Sequence, residues 1–139
     1  MNGTRIMVVE DEGIVALDIR NKLRRMGYSV TGIANSGEDA VVMASTTEPD
    51  LVLMDIRLKG EMDGIEAAKR IQNHRGTPIV YLTAYADAAT RRRAEATVPM
   101  AYLLKPFDDL ELNTVIQKAL AKPHSAGSSI LDEDANDQS

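Results

Sequence analysis

The chain of 139 residues contains no cysteine and two histidines. The lack of cysteine excludes disulfide bonds and thiolate metal sites, and it suits a reducing compartment. His74 and His124 lie far apart in polar sequence, which argues against a histidine metal cluster. No apolar stretch approaches the roughly 20 residues that span a bilayer. Because a predicted strand follows the first few residues at once, no signal peptide is expected. We therefore expect a cytoplasmic protein without membrane contact.

The charge is distributed unevenly along the chain. The formal net charge is −5, and most of it comes from four acids of the C-terminal segment, Asp132, Glu133, Asp134 and Asp137. The rest of the chain is nearly neutral, so its overall charge does not suggest direct nucleic-acid binding. The basic run at 91–93 is interpreted as a solvated helix face. The composition predicts one domain over 1–122 and a flexible acidic tail over 123–139.

Five short apolar runs are separated by segments with helical spacing. The runs predict buried strands at 6–9, 30–34, 51–55, 79–83 and 100–104, the second being weaker and near an edge. The segments after them predict helices that end near 26, 46, 73, 97 and 122. Ser36, Asp87 and Asp108 are predicted helix caps, and Pro123 closes the last helix. The alternation predicts an α/β fold, a five-stranded parallel sheet that is doubly wound by five helices.

Four of these strands end in side chains that can bind ligands or take part in a reaction. Glu10 and Asp11 follow the first strand, Asp55 ends the third, Thr83 ends the fourth and Lys105 follows the fifth. In a parallel sheet these ends lie on one edge, where ligands bind. Clustered carboxylates repel unless they share a cation, and an all-oxygen set suits Mg²⁺. A lysine and a hydroxyl can bind phosphate, and an aspartate can form an aspartyl-phosphate.

Each of these residues also has an ordinary structural interpretation. Asp55 can cap the turn after its strand, and Thr83 can be an ordinary cap. Glu10 and Asp11 can lie in a solvated turn, and Lys105 can belong to a surface turn. If all these ordinary interpretations held, chance alone would have placed all of these residues at the ends of four strands. The joint pattern therefore favours a phosphoryl-transfer site.

The sequence resembles the receiver domain of two-component response regulators over residues 4–121. The resemblance implies a flavodoxin-like version of the predicted fold. It rests on the sequences Val-Val-Glu10-Asp11, Leu-Met-Asp55, Met62-Asp63-Gly64, Tyr-Leu-Thr83-Ala84 and Leu-Lys105-Pro106-Phe107.

The resemblance implies a phosphoacceptor role for Asp55. The phosphoryl group would come from a phosphohistidine of a sensor histidine kinase or of a phosphotransfer protein. Glu10, Asp11 and Asp55 would hold Mg²⁺ together with the backbone carbonyl of Arg57. Glu10 stands where aspartate is commoner, which leaves open a metal contact through water. The domain would assist its own phosphorylation and dephosphorylation and would not be an enzyme.

The resemblance also assigns residues to the response. Thr83 and Lys105 would bind the phosphoryl oxygens, and the peptide bond before Pro106 is expected to be cis. Tyr102 matches the family's switch aromatic, which turns inward as Thr83 moves toward the phosphate. This movement would reshape the surface of the fourth helix, fifth strand and fifth helix, which leaves open a homodimer through that surface. The downstream partner is a protein that the sequence does not identify.

The loop after Asp55 departs from the common receiver pattern. It carries one residue more between Asp55 and Gly64, and Leu58-Lys59-Gly60 stands where a Met-Pro pair is usual.

Three other functions fit parts of this sequence. A phosphatase that forms an aspartyl-phosphate resembles an Asp-x-Asp arrangement, and Asp55-Ile56-Arg57 lacks the second acid. A flavin-binding module needs a Ser/Thr/Gly-rich loop after the first strand, where Glu10-Asp11-Glu12 would repel phosphate. A receiver-like binding module that is never phosphorylated would not need the complete set of acids, threonine and lysine.

Overall fold

The computed structural model describes residues 3–84 and 87–121. In this part of the chain, five strands alternate with five helices. The strands are β1 Arg5–Val9, β2 Ser29–Ala34, β3 Leu51–Asp55, β4 Ile79–Thr83 and β5 Ala101–Leu104. The helices are α1 Gly13–Arg25, α2 Gly37–Thr47, α3 Gly64–Arg75, α4 Ala88–Glu95 and α5 Asp109–Ala121. The predicted positions 123–139, including Pro123, lie outside the described residues.

The five strands form one parallel sheet in the order β2-β1-β3-β4-β5. The chain first moves outward to β2 and then crosses back past β1 to β3, so the winding direction reverses between β1 and β3. This arrangement confirms the predicted α/β fold class, and β2 lies at an edge as its weak apolar pattern predicted. At such a reversal the loops on either side diverge and leave a crevice at the carboxyl ends of the strands.

The sheet has a hydrophobic core on each face. Side chains alternate between the two faces along a strand, so Ile6 and Val8 of β1 pack with α1 and α5, whereas Met7 and Val9 pack with α2 and α3. All five residues of β3 are buried. Among the described residues, no helix is both long and apolar enough to span a membrane. Since helices cover both faces of the sheet, polar side chains can meet at the ends of the strands.

The three predicted caps are present, and two predicted helix ends are shifted. Ser36, Asp87 and Asp108 each accept a hydrogen bond from the backbone N–H three residues further on. Helix α3 runs two residues beyond the predicted end at 73. It ends at Arg75 because the next residue, Gly76, is its left-handed C-cap. Helix α4 stops two residues before the predicted end, since the Thr97 hydroxyl donates to the Ala94 carbonyl at 2.6 Å. β5 begins one residue later than predicted.

Helix α4 is attached mainly by polar contacts. Ala94 is the one residue of α4 that is buried. Arg93 forms a two-pronged ion pair with Asp63, the N-cap of α3, at 2.9 and 3.3 Å. The Arg91 guanidinium lies 5.1 Å from the centre of the Tyr102 ring. Two of the three arginines at 91–93 therefore have specific partners, so the interpretation of this run as a merely solvated face was incomplete.

We predict that Arg93→Gln loosens α4 with only a small effect on the whole fold. The Asp63 carboxyl is partly buried, which raises its pKa, but the Arg93 hydrogen bonds and the Glu66 N–H outweigh burial and lower the pKa overall. A lowered folded-state pKa stabilises the protein above the unfolded pKa of about 4, and this contribution is lost as the pH falls through the folded value. Because the pair is half exposed, the expected loss at pH 7 is under about 1 kcal/mol.

The measurement is the free energy of unfolding by urea at pH 7 and pH 3.5, with amide exchange in α4 at pH 7. The loss should shrink at the lower pH, and exchange in α4 should speed up at the higher. Arg92→Gln, at an exposed position on the same helix, is the matched control. Equal effects of the two variants would contradict a specific role for the Arg93 pair.

Candidate functional site

The carboxyl ends of β1, β3, β4 and β5 surround a cleft of about 340 Å³. The cleft brings together all the residues predicted to carry the chemistry, namely Glu10, Asp11, Asp55, Arg57, Thr83 and Lys105. Tyr102 does not line it. The peptide bond between Lys105 and Pro106 is cis, as the family resemblance implied.

Three carboxylates meet on one side of this cleft. One oxygen of Glu10, Asp11 and Asp55 each lies within 4.8 Å of the others. Glu10 is 1% exposed and Asp55 is 6% exposed, so neither charge is well screened by water. Lys105 Nζ lies 2.8 Å from Glu10 Oε1 and 3.2 Å from Asp55 Oδ2. One ammonium facing three carboxylates leaves an excess of negative charge, which is the environment that a divalent cation requires.

Backbone amides of the flanking loops orient the same carboxylates. The hydrogen bonds run from Glu12 N–H to Glu10 Oε2 (3.1 Å), from Arg57 N–H to Asp55 Oδ1 (3.1 Å) and from Lys59 N–H to Asp11 Oδ2 (2.9 Å). The Lys59 contact was not predicted, since it joins two loops 48 positions apart. All three acids are therefore held in place by the two loops that follow β1 and β3.

The electrostatics of the cleft shift the pKa values of its two central groups. Burial, followed by the charge of Glu10, raises the pKa of Asp55 to about 6, although Lys105 and the Arg57 N–H act in the opposite direction. For Lys105, burial lowers the pKa, but the contacts with Glu10 and Asp55 outweigh it and raise the pKa above its usual value. Lys105 is therefore a stable cation at neutral pH. Asp55 is ionised above pH 6, and a bound cation would favour the ionised form further.

The start of α3 packs directly against the end of β3. A Cβ atom added at Gly64 would overlap the backbone carbonyl oxygen of Asp55. The Gly64 N–H also donates to the Ile56 carbonyl at 2.9 Å. Glycine at this position thus allows α3 to begin close to the cleft and fixes the path of the chain beyond Asp55.

We predict that Gly64→Ala destabilises the protein by about 1–3 kcal/mol, the typical cost of overpacking, because the Asp55 backbone cannot yield as a flexible side chain would. The measurement is the free energy of unfolding by urea. Gly13→Ala is the matched control, since a Cβ there meets nothing within 4 Å. The control should be as stable as the wild type, and a similar loss in both variants would refute the close-packing argument.

Tyr102 lies behind the cleft in a second cluster of polar aromatic residues. Its ring stacks on Tyr81 with a centroid distance of 5.8 Å, and its buried hydroxyl has no hydrogen-bond partner among the described residues. Tyr81 is fully buried, and its hydroxyl lies 2.7 Å from the Thr97 hydroxyl beyond α4. The sequence showed Tyr81 only as part of an apolar strand, so this tie between β4 and the end of α4 was not predicted.

Comparison with known proteins agrees with this geometry. The sequence profile of the response regulator receiver domain matches residues 6–117. The transcriptional regulatory protein PdtaR of Mycobacterium tuberculosis is 39% identical over 118 residues, which cover 85% of this chain and 57% of PdtaR. The chain therefore belongs to the response regulator receiver domain family, whose members are signalling domains. It spans little more than half the length of this relative.

Solved structures give the same assignment. The signal receiver domain of a modulated diguanylate cyclase from Desulfovibrio desulfuricans superposes with a TM-score of 0.81 at 35% identity, over 86% of this chain and 94% of that one. The receiver domain of the sensor histidine kinase PA1611 from Pseudomonas aeruginosa has a TM-score of 0.77 at 35% identity, over 86% and 99% of the two chains. That structure has a magnesium ion coordinated in its active-site cleft.

Proposed function

We propose that Asp55 accepts a phosphoryl group from the phosphohistidine of a sensor histidine kinase or of a phosphotransfer protein, in a reaction that requires Mg²⁺. The observation that supports this proposal is the Asp55 carboxylate at the centre of the cleft, between the acids of β1 and the ammonium of Lys105. In the transfer, a carboxylate oxygen of Asp55 forms a bond to phosphorus as the phosphorus–nitrogen bond breaks. The bonding electron pair returns to the histidine ring of the donor, which then takes up a proton.

The side chains of the cleft are suited to distinct parts of this reaction. Lys105 already contacts Asp55, and it would transfer that contact to a phosphoryl oxygen. Thr83 is 6% exposed at the end of β4 and would donate its hydroxyl to another oxygen. Glu10, Asp11, Asp55 and the carbonyl of Arg57 would hold Mg²⁺, which supplies positive charge opposite the transferring oxygens. In this way the domain assists its own phosphorylation and dephosphorylation.

The alternatives fit the cleft less well. Arg57 follows Asp55 at the position where a phosphatase of the Asp-x-Asp type would carry its second acid. A module that is never phosphorylated would not need two buried carboxylates and a paired lysine, Lys105, in an open cleft. We also propose that residues 1–122 are the functional unit and that the expected tail at 123–139 is dispensable. We further propose that the protein is located in the cytoplasm.

We predict that Asp55→Asn abolishes phosphoryl uptake, because the amide is not a nucleophile under these conditions. The measurement is incubation with radioactive acetyl phosphate, or with a phosphorylated kinase, followed by mapping of the labelled residue. Asp39→Asn, at an exposed position on α2, is the control and should label as the wild type does. Equal labelling of the Asp55 variant would refute the acceptor assignment.

The metal requirement is measured in the same assay with excess chelator. Uptake by the wild type should be lost on chelation and restored by added Mg²⁺. An undiminished rate in chelator would contradict the metal role without touching the acceptor role.

The proposed response links the cleft to α4. Phosphoryl oxygens would draw the Thr83 hydroxyl toward them, since a hydrogen bond to a charged group contributes about 1.5–3 kcal/mol. The half-buried Tyr102 ring, which already stacks on Tyr81, would then move further inward. Three apolar side chains are exposed, Val98 after α4, Leu104 in β5 and Leu110 in α5. The surface of α4, β5 and α5 is the proposed site for a downstream protein or for a homodimer.

We predict that beryllofluoride, a phosphoryl mimic, changes amide exchange over residues 87–97 in the wild type. Thr83→Ala should bind the mimic and yet lose most of this change, because the hydroxyl carries the signal. Thr77→Ala is the control, a buried threonine before the other end of β4. An unchanged response in Thr83→Ala, or no response in the wild type, would show that the coupling is wrong.

A further inference from the structure

The loop that follows Asp55 has an unusual anchor. Leu58 packs into the apolar core and is 8% exposed. The next side chain, Lys59, points into solvent, while its backbone faces the cleft. Gly60 then has a φ of 97°, a left-handed conformation that side chains rarely adopt. The buried Leu58 therefore anchors the loop just before Lys59, and Gly60 allows the backbone conformation just after it.

The Lys59 amide binds Asp11, the one acid of the three that has no ion pair with Lys105. Lys105 binds Glu10 and Asp55, the two buried acids. Asp11 is the more exposed of the three, and its Oδ2 accepts a hydrogen bond from Lys59 N–H at 2.9 Å. A carboxylate at the rim of a cleft would otherwise rotate among several orientations, and that freedom is lost when it binds a ligand.

This contact depends on the feature that sets the loop apart from the common receiver pattern. Leu58-Lys59-Gly60 stands where a Met-Pro pair is usual. A proline at position 59 would have no backbone N–H to donate. The donor to Asp11 is therefore available to this loop and not to a loop with proline at that position.

We propose that the backbone amide of Lys59 is a positioning group for the metal site, which orients the Asp11 carboxylate before Mg²⁺ binds. The inference rests on the proposed function, because it requires Mg²⁺ at the three acids. Groups that orient a metal ligand commonly change metal affinity by about 10–100-fold. A backbone N–H is a donor and would not ligate a cation, so its effect would be on affinity and would leave the identity of the ligands unchanged.

The test compares two substitutions at one position. Lys59→Pro removes the N–H, whereas Lys59→Ala keeps the N–H and removes the ammonium. The probe is Mg²⁺ alone, and its Kd is measured by isothermal titration calorimetry on the full chain. We expect the proline variant to bind Mg²⁺ about 10-fold more weakly and the alanine variant to bind as the wild type does. Because both substitutions remove the ammonium, an equal Kd in the two variants would overturn the proposal, as would tighter binding by the proline variant than by the alanine variant.

A second variant and a second measurement guard against a damaged fold. The metal-free Lys59→Pro variant should still unfold in one cooperative transition, with a melting temperature lowered only by the loss of one hydrogen bond. Gly13→Ala, at the start of α1, keeps the Lys59 N–H and should bind Mg²⁺ as the wild type does. In the metal-free wild type, the Lys59 amide should exchange slowly with solvent, and rapid exchange would overturn the proposal even if the proline variant fails to fold.

The outcomes also separate this inference from the proposed function. If the wild type binds no Mg²⁺ that Asp11→Ala removes, the metal site itself is wrong and both proposals fall. If the wild type binds Mg²⁺ through Asp11 and Lys59→Pro binds equally well, only the positioning role is refuted.

Discussion

The ion pairs of Lys105 with Glu10 and Asp55 are the interaction on which the cleft depends. Burying two carboxylates is costly unless their charges are paired and their oxygens accept hydrogen bonds. Lys105 follows β5, and its side chain reaches across β4 to the ends of β3 and β1. This reach requires the strand order that places β1, β3, β4 and β5 side by side. The compensation is incomplete, and the remaining negative charge is of the kind that a cation would balance.

Helix α4 is held less firmly beside this cleft than the helices on the opposite face of the sheet. Helices α1 and α5 cover one face through a continuous apolar core. On the other face, α4 buries Ala94 and relies on polar ties, the Arg93–Asp63 pair and the Tyr81–Thr97 hydrogen bond that follows its end. Elements with few buried apolar contacts move at low free-energy cost. Few buried apolar contacts thus oppose a displacement of α4, and the proposed response would use this helix.

The sequence was sufficient for the fold class and for the set of strand-end residues. Apolar runs alternating with helical spacing indicate a doubly wound sheet, and parallel strands deliver their final side chains to one edge. The helix ends were less predictable. Helix α4 ends early because the Thr97 hydroxyl contacts both the Ala94 carbonyl and the Tyr81 hydroxyl. The second of these partners lies in β4, 16 positions earlier in the sequence.

The sequence by itself determined which chemical groups lie at the carboxyl edge, because parallel strands deliver their final residues to one edge of the sheet whatever the strand order. Only the tertiary structure decided how those groups are held. The Lys59 amide meets Asp11 across 48 positions, and Arg93 meets Asp63 across 30. Contacts of this kind depend on where loops and helices come to rest after the core has packed. No local periodicity or turn signal encodes them, so a sequence pattern shows the donors and acceptors without showing which of them pair.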